Sequence, residues 1–125
     1  MKLSTSIVRE RIFVAQQRGL WPWLFQRITG AYLVFGMAVH VIVLPLGRET
    51  ISFESVAERL RNPWWFLFDF LLLSVCLYHG FNGLWSVFLD FNPPEGLRRS
   101  IGWALTVFGF MWVVFGFCVL LPFTR

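Results

Sequence analysis

Three long runs of apolar residues dominate the chain, separated by short polar stretches. They extend over Ile28 to Gly47, Trp64 to Leu89 and Ile101 to Phe123. Each reaches the ~20 residues that an α-helix needs to cross ~30 Å of hydrocarbon. The third run holds no charge, and the second holds only Asp69, near one end. A strand with open edges would leave backbone groups unsatisfied in lipid, so the pattern predicts helices. With the flanking polar residues that continue each pattern, the predicted spans are about 26–47, 64–90 and 101–123.

The connectors agree with these limits. Leu44-Pro45-Leu46-Gly47-Arg48 closes the first run. Arg61-Asn62-Pro63 opens the second, with Pro63 where a missing N–H costs nothing. Asp90-Phe91-Asn92-Pro93-Pro94-Glu95-Gly96 reads as a turn that stops the second helix. Between the first two spans, residues 50–61 place Phe53, Val56, Ala57 and Leu60 on one helical face. That spacing predicts a short interfacial helix, with Ser55 and Glu58 as its capping box. Trp21, Trp23, Trp64 and Trp65 stand at run ends, as an aromatic belt would. The fold class is therefore an all-α membrane protein in one domain, residues 1–125.

Composition sharpens this reading. Of 125 residues, 57% are hydrophobic and only 14% charged, against about 25% charged in ordinary soluble domains. A soluble core of this size could not hide so much apolar surface, and disorder is excluded for the same reason. The net charge of +4 reads as topology. Lys2, Arg9, Arg11, Arg18 and Arg27, with Arg98 and Arg99, gather on one side of the predicted membrane. Arg48, Arg59, Arg61 and Arg125 lie on the other. Seven basic residues against four place the N-terminus inside and the C-terminus outside. No basic cluster suited to nucleic acid is present. Nothing like a cleavage site follows the Arg-rich N-terminal segment, which favours a prokaryotic plasma membrane over the mitochondrial inner membrane. The two cysteines, Cys76 and Cys118, lie inside apolar runs and form no disulfide framework.

Candidate chemistry rests on two histidines, His40 and His79, both inside predicted spans. Ionisable side chains in lipid are costly and usually functional. Asn82, Gly83, Ser86 and Asp90 follow His79 at i+3, i+4, i+7 and i+11. That spacing makes one polar stripe on the second helix. Gly80 and Gly83 remove bulk beside the imidazole, and Gly36 stands one turn before His40. A neutral imidazole flanked by glycines in a bundle suits a haem iron. The competing reading gives each histidine a carbonyl or polar partner on a neighbouring helix. Counted from the nearest predicted boundaries, the two histidines lie at different depths, one toward each side. Gly102, Gly109 and Gly116 recur every seven residues on the third helix and form a packing face. Asp69 is expected to snorkel or pair near the surface, with a proton relay as the other possibility.

The stretch Tyr78-His79-Gly80-Phe81-Asn82-Gly83-Leu84-Trp85-Ser86-Val87-Phe88-Leu89-Asp90-Phe91 resembles the second helix of the small membrane anchor subunits of succinate dehydrogenase and fumarate reductase. Their pattern is His, Gly four residues on, and Asp-Tyr or Asp-Phe eleven residues on. Gln26-Arg27-Ile28-Thr29-Gly30 resembles the Arg-x-Ser/Thr-Gly that opens their first helix. The resemblance covers nearly the whole chain. Leu84-Trp85 inclines it toward the D-type anchor and Arg27-Ile28-Thr29-Gly30 toward the C-type. It implies haem b with His79 as an axial iron ligand, Gly83 beside it, and a histidine from a second anchor subunit opposite. It also implies a quinone site near Asp90, Arg27, Trp85 and Phe91, Arg27 reaching either haem propionates or the quinone head. Phe91 stands where some members carry Tyr, so a hydroxyl donor to the quinone is missing here. Members with two haems use histidines on both the first and second helices, so His40, with Gly36, is expected at a second haem. The implied partners are a second anchor, an iron–sulfur subunit and a flavoprotein. A chain without flavin fingerprint or cysteine cluster would leave succinate chemistry to those subunits. The alternative is a non-catalytic assembly or transport subunit with structural or proton-relay histidines.

Overall fold

The structure, a computed structural model, describes residues 19–43 and 51–124. Within them the chain forms α1 (Leu20–Val43), α2 (Phe53–Arg61), α3 (Pro63–Asp90) and α4 (Glu95–Leu120), then a 3-10 turn at Leu121–Thr124. Three of these helices are long and apolar enough to cross a membrane. At 1.5 Å per residue α1, α3 and α4 are about 36, 42 and 39 Å long, more than the ~30 Å of hydrocarbon. Helix α3 is central and packs against both α1 and α4. The expectations for residues 1–18, 44–50 and Arg125 lie outside the described residues, including the far end of the first span.

The helix boundaries differ from the apolar runs for local reasons. Helix α1 begins at Leu20, not near 26. Pro22 falls in its first turn, where backbone N–H groups lack partners in any case. Gln26 is polar yet half-buried inside the bundle, so the fall in hydrophobicity there marks a contact face rather than an end. Helix α4 begins at Glu95, not 101, with Pro94 as N-cap and the acid in its first turn, where negative charge favours a helix start. At the end of α3, Asn92 takes a left-handed conformation (φ 49°) and its N–H bonds Leu89 O at 3.1 Å. Asparagine tolerates that geometry better than most residues.

The short helix is present as α2, but its cap is different. Ser52 is the N-cap, and its hydroxyl and that of Ser55 each bond the other's backbone N–H at 3.2 and 3.0 Å. The expected Ser55–Glu58 box starts one turn too late. The expected apolar face is used: Ala57 and Leu60 are buried and Phe53 meets Phe123 at 5.7 Å.

Little of the chain is interior. Among the described residues the buried apolar side chains are Ala57, Leu60, Leu72 and Leu89. Most large apolar residues of the three long helices face outward, as helices apolar all round do in lipid. The heptad glycines of α4 form the predicted packing face. Gly102 adjoins the Trp85 ring, Gly109 the Phe81 ring and Gly116 the Leu73 side chain.

Candidate functional site

Helices α1 and α3 run antiparallel in a register that four pairs define. Gly30 meets His79, Gln26 meets Gly83, Gly36 meets Leu72, and His40 meets Asp69. On this register His40 is level with a position ten residues from His79. The two histidines are therefore separated by about 15 Å along the bundle. His79 lies toward the Asp90 end and His40 toward the α2 end.

His79 sits between α1 and α3, half-buried. Its Nδ1 is 3.0 Å from Thr29 Oγ1. The hydroxyl proton of Thr29 goes to Phe25 O at 2.6 Å, so toward His79 the oxygen accepts and Nδ1 carries the ring proton. The other nitrogen agrees: Gln26 Nε2 donates toward His79 Nε2 at 3.3 Å, and to His79 O at 3.2 Å. The Gln26 amide is oriented by Asn82, whose Nδ2 donates to Gln26 Oε1 at 2.7 Å and to Pro22 O at 3.1 Å. Two independent contacts thus define one tautomer, N–H at Nδ1 and a lone pair at Nε2. A ligating histidine needs that arrangement, since its second nitrogen must donate elsewhere. The Gln26 contact to Nε2 is longer than the usual 2.9–3.0 Å and comes from a flexible side chain. An iron at Nε2 would have to replace this long contact, and with Nδ1 donating to Thr29 the donor set is of a kind that fits a haem iron.

His40 is held differently. Its Nδ1 lies 2.9 Å from Asp69 Oδ1, and the same oxygen accepts from Arg59 Nη2 at 2.8 Å. Three helices, α1, α2 and α3, meet at this one atom. The Arg59 side chain is only 5% exposed and lies over the Trp65 ring at 4.5 Å. Among the described residues its Nε and Nη1 have no hydrogen-bond partner. His40, with its side chain 34% exposed, has Nε2 outside this ion-paired cluster. The chemistry of this donor set also suits an iron. Asp69 pairs, as one of its expectations held, but with groups of two other helices.

The other anticipated residues are dispersed. Gly83 adjoins Gln26: an added Cβ would stand 3.1 Å from that amide nitrogen. Gly36 is buried, and its vacant side faces Leu72 and the Tyr32 ring rather than a space beside His40. Gly80 has open space around it. Trp85 faces α4, not α1, stacked on Phe88 at 5.7 Å. It lines a groove of about 820 Å³ between α3 and α4, with Tyr78, Asn82, Arg98 and Trp103. Asp90 and Phe91 lie at the exposed end of α3. Arg27 is not at their level. The register sets it opposite Asn82, eight residues or about 12 Å deeper, with its guanidinium 3.9 Å over the Trp23 ring.

Thr29, Gln26, Asp69 and Arg59 are the site residues that the sequence did not assign. One signal was available: Gln26, Thr29, Gly30, Gly36 and His40 recur at near-helical spacing as the small and polar positions of an otherwise apolar helix.

Residues 1–117 match the model of the succinate dehydrogenase/fumarate reductase transmembrane subunit family. A succinate dehydrogenase hydrophobic membrane anchor subunit from Thermoplasma acidophilum is 36% identical over 93 residues, 73% of this chain and 76% of that protein. One from Archaeoglobus fulgidus is 30% identical over 94 residues, 74% of this chain and 80% of its own length. The succinate dehydrogenase 2 membrane subunit SdhC of Mycobacterium tuberculosis is 30% identical over 89 residues, 70% of this chain and 65% of its length.

Proposed function

The chain belongs to the succinate dehydrogenase/fumarate reductase transmembrane subunit family, and from that premise we propose that this membrane anchor binds haem b and carries electrons from an iron–sulfur subunit to quinone. His79 would hold the haem iron through Nε2. The observation that carries the reading is the Thr29–His79–Gln26 arrangement, which fixes the ring proton on Nδ1. Haem, when bound, supplies one-electron redox chemistry that no side chain of this chain can supply. The work of the protein is to hold the imidazole, exclude water and set the surroundings.

His40 would hold a second haem toward the α2 end. The 15 Å axial separation keeps the two imidazoles from sharing one porphyrin. A second anchor subunit would supply the remaining protein ligands. Arg27 lies at the level of His79 and Asn82, so a haem propionate is its partner rather than the quinone head.

The quinone site forms at the Asp90 end, on the cytoplasmic side, where the iron–sulfur and flavoprotein subunits dock. Asp90 biases or protonates a quinone carbonyl, and Phe91 and Trp85 offer aromatic surfaces. Succinate is oxidised, or fumarate reduced, in the flavoprotein.

The test is a reduced-minus-oxidised optical spectrum of the purified complex, wild type beside His79→Ala. The expected result is loss of a haem b in the variant. Unchanged haem stoichiometry would make His79 a packing histidine and the chain a structural anchor.

A further inference from the structure

We infer that Asp69, clamped by Arg59, is the positioning residue of His40 and sets the potential of the iron it holds. This rests on the reading of His40 as a haem ligand. The geometry begins with one oxygen: Asp69 Oδ1 lies 2.8 Å from Arg59 Nη2 and 2.9 Å from His40 Nδ1. A carboxylate paired with a guanidinium only accepts hydrogen bonds. His40 therefore donates from Nδ1, and Nε2 is the ring nitrogen left for the iron.

Arg59 makes the carboxylate immobile. The Arg59 side chain is 5% exposed and that of Asp69 12%. Among the described residues, Asp69 is the acidic partner of this buried cation, whose Nε and Nη1 find no acceptor. If Asp69 turned away, Arg59 would be stranded as an uncompensated buried charge, a severe cost. The imidazole on the opposite side of the oxygen is held in consequence. Helix α2 contributes the clamp, which gives this short amphipathic helix a role beyond lying at the interface.

The two histidines are thus supported by unlike groups. His79 donates to a neutral hydroxyl, His40 to a carboxylate. A carboxylate acceptor makes the imidazole a stronger electron donor and favours the oxidised iron. Asp69 accordingly lowers the potential of the His40 iron, and Arg59, by drawing on the same oxygen, moderates that effect.

The experiment is an optical redox titration of the purified whole complex, comparing wild type with Asp69→Asn, Arg59→Gln and His40→Ala. Asp69→Asn is expected to raise the potential of one haem component, and its haem to be held roughly tenfold to hundredfold less tightly. Arg59→Gln is expected to move the same component downward. The His79 component stays unmoved in both and reports that the complex has assembled. His40→Ala with all haem retained would overturn the ligand reading itself. Loss of one haem in His40→Ala, with unmoved potentials in the other two variants, would overturn the role of Asp69 alone. Loss of both haems in Asp69→Asn would also overturn it, by showing that Asp69 serves the whole fold.

Discussion

Replacing Thr29 by Val removes one oxygen from the His79 site and almost nothing else. The two side chains are nearly the same size, and both are β-branched. The Thr29 hydroxyl makes three contacts, to Phe25 O at 2.6 Å, to His79 Nδ1 at 3.0 Å and, longer, to Gln26 O at 3.3 Å. Loss of the first matters little, because the Phe25 carbonyl keeps its place in the helix ladder. Loss of the second leaves a half-buried N–H without its acceptor, at about 1–3 kcal/mol. No obvious substitute is at hand: Gln26 Oε1 already accepts from Asn82 at 2.7 Å.

The ring is then free to place its proton on Nε2, the nitrogen that must stay open for iron. A lost outer partner of a ligating histidine typically weakens metal binding about 10- to 100-fold, equivalent to about 1.4–2.8 kcal/mol. The assay is haem per assembled complex, followed through repeated washing in detergent. Thr29→Val should lose the His79 haem faster than wild type, and Thr29→Ser, which restores the oxygen, should recover most of the difference. Equal retention in all three proteins would refute the reasoning, since the tautomer argument depends on that one oxygen.

Two further outcomes test other parts of the structure. Gly116→Val should destabilise the α3–α4 pair by about 1–3 kcal/mol, because a Cβ at Gly116 meets Leu73. Gly96→Ala, where a Cβ would meet nothing within 4 Å, serves as the neutral control in the same thermal unfolding series. Asp90→Asn should slow quinone reduction more than succinate oxidation by an artificial acceptor. Equal loss of both activities would assign Asp90 to assembly instead.

The spans were legible because lipid imposes a coarse rule: long apolar runs become helices. Their ends were less legible, because polarity along a chain has two causes. At Gln26 and Thr29 it marks a face turned toward another helix, and at Arg98 and Arg99 it marks the first turns of a helix that has already begun. The His79 stripe could be read because its members share α3. The partners of His79 could not, because they lie 50 and 53 residues away and depend on the α1–α3 register. Arg59 shows the same limit. On α2 it reads as one more basic residue of a polar face, yet it is 6% exposed and bonded to a carboxylate ten residues on.

The same polar accounting explains why the chain carries these groups at all. Ser74 and Thr106 return their hydroxyls to carbonyls one turn back on their own helices, which satisfies them without a neighbour. The two histidine clusters differ in kind. Each ties an imidazole to a neighbouring helix through Nδ1, His79 to Thr29 of α1 and His40 to Asp69 of α3, and the Nε2 of His79 also accepts from Gln26. His40 bonds Asp69 through Nδ1, and its side chain is one-third exposed. Buried polar groups in lipid are costly when half-satisfied, and among the described residues that cost falls on Arg59, whose Nε and Nη1 find no acceptor.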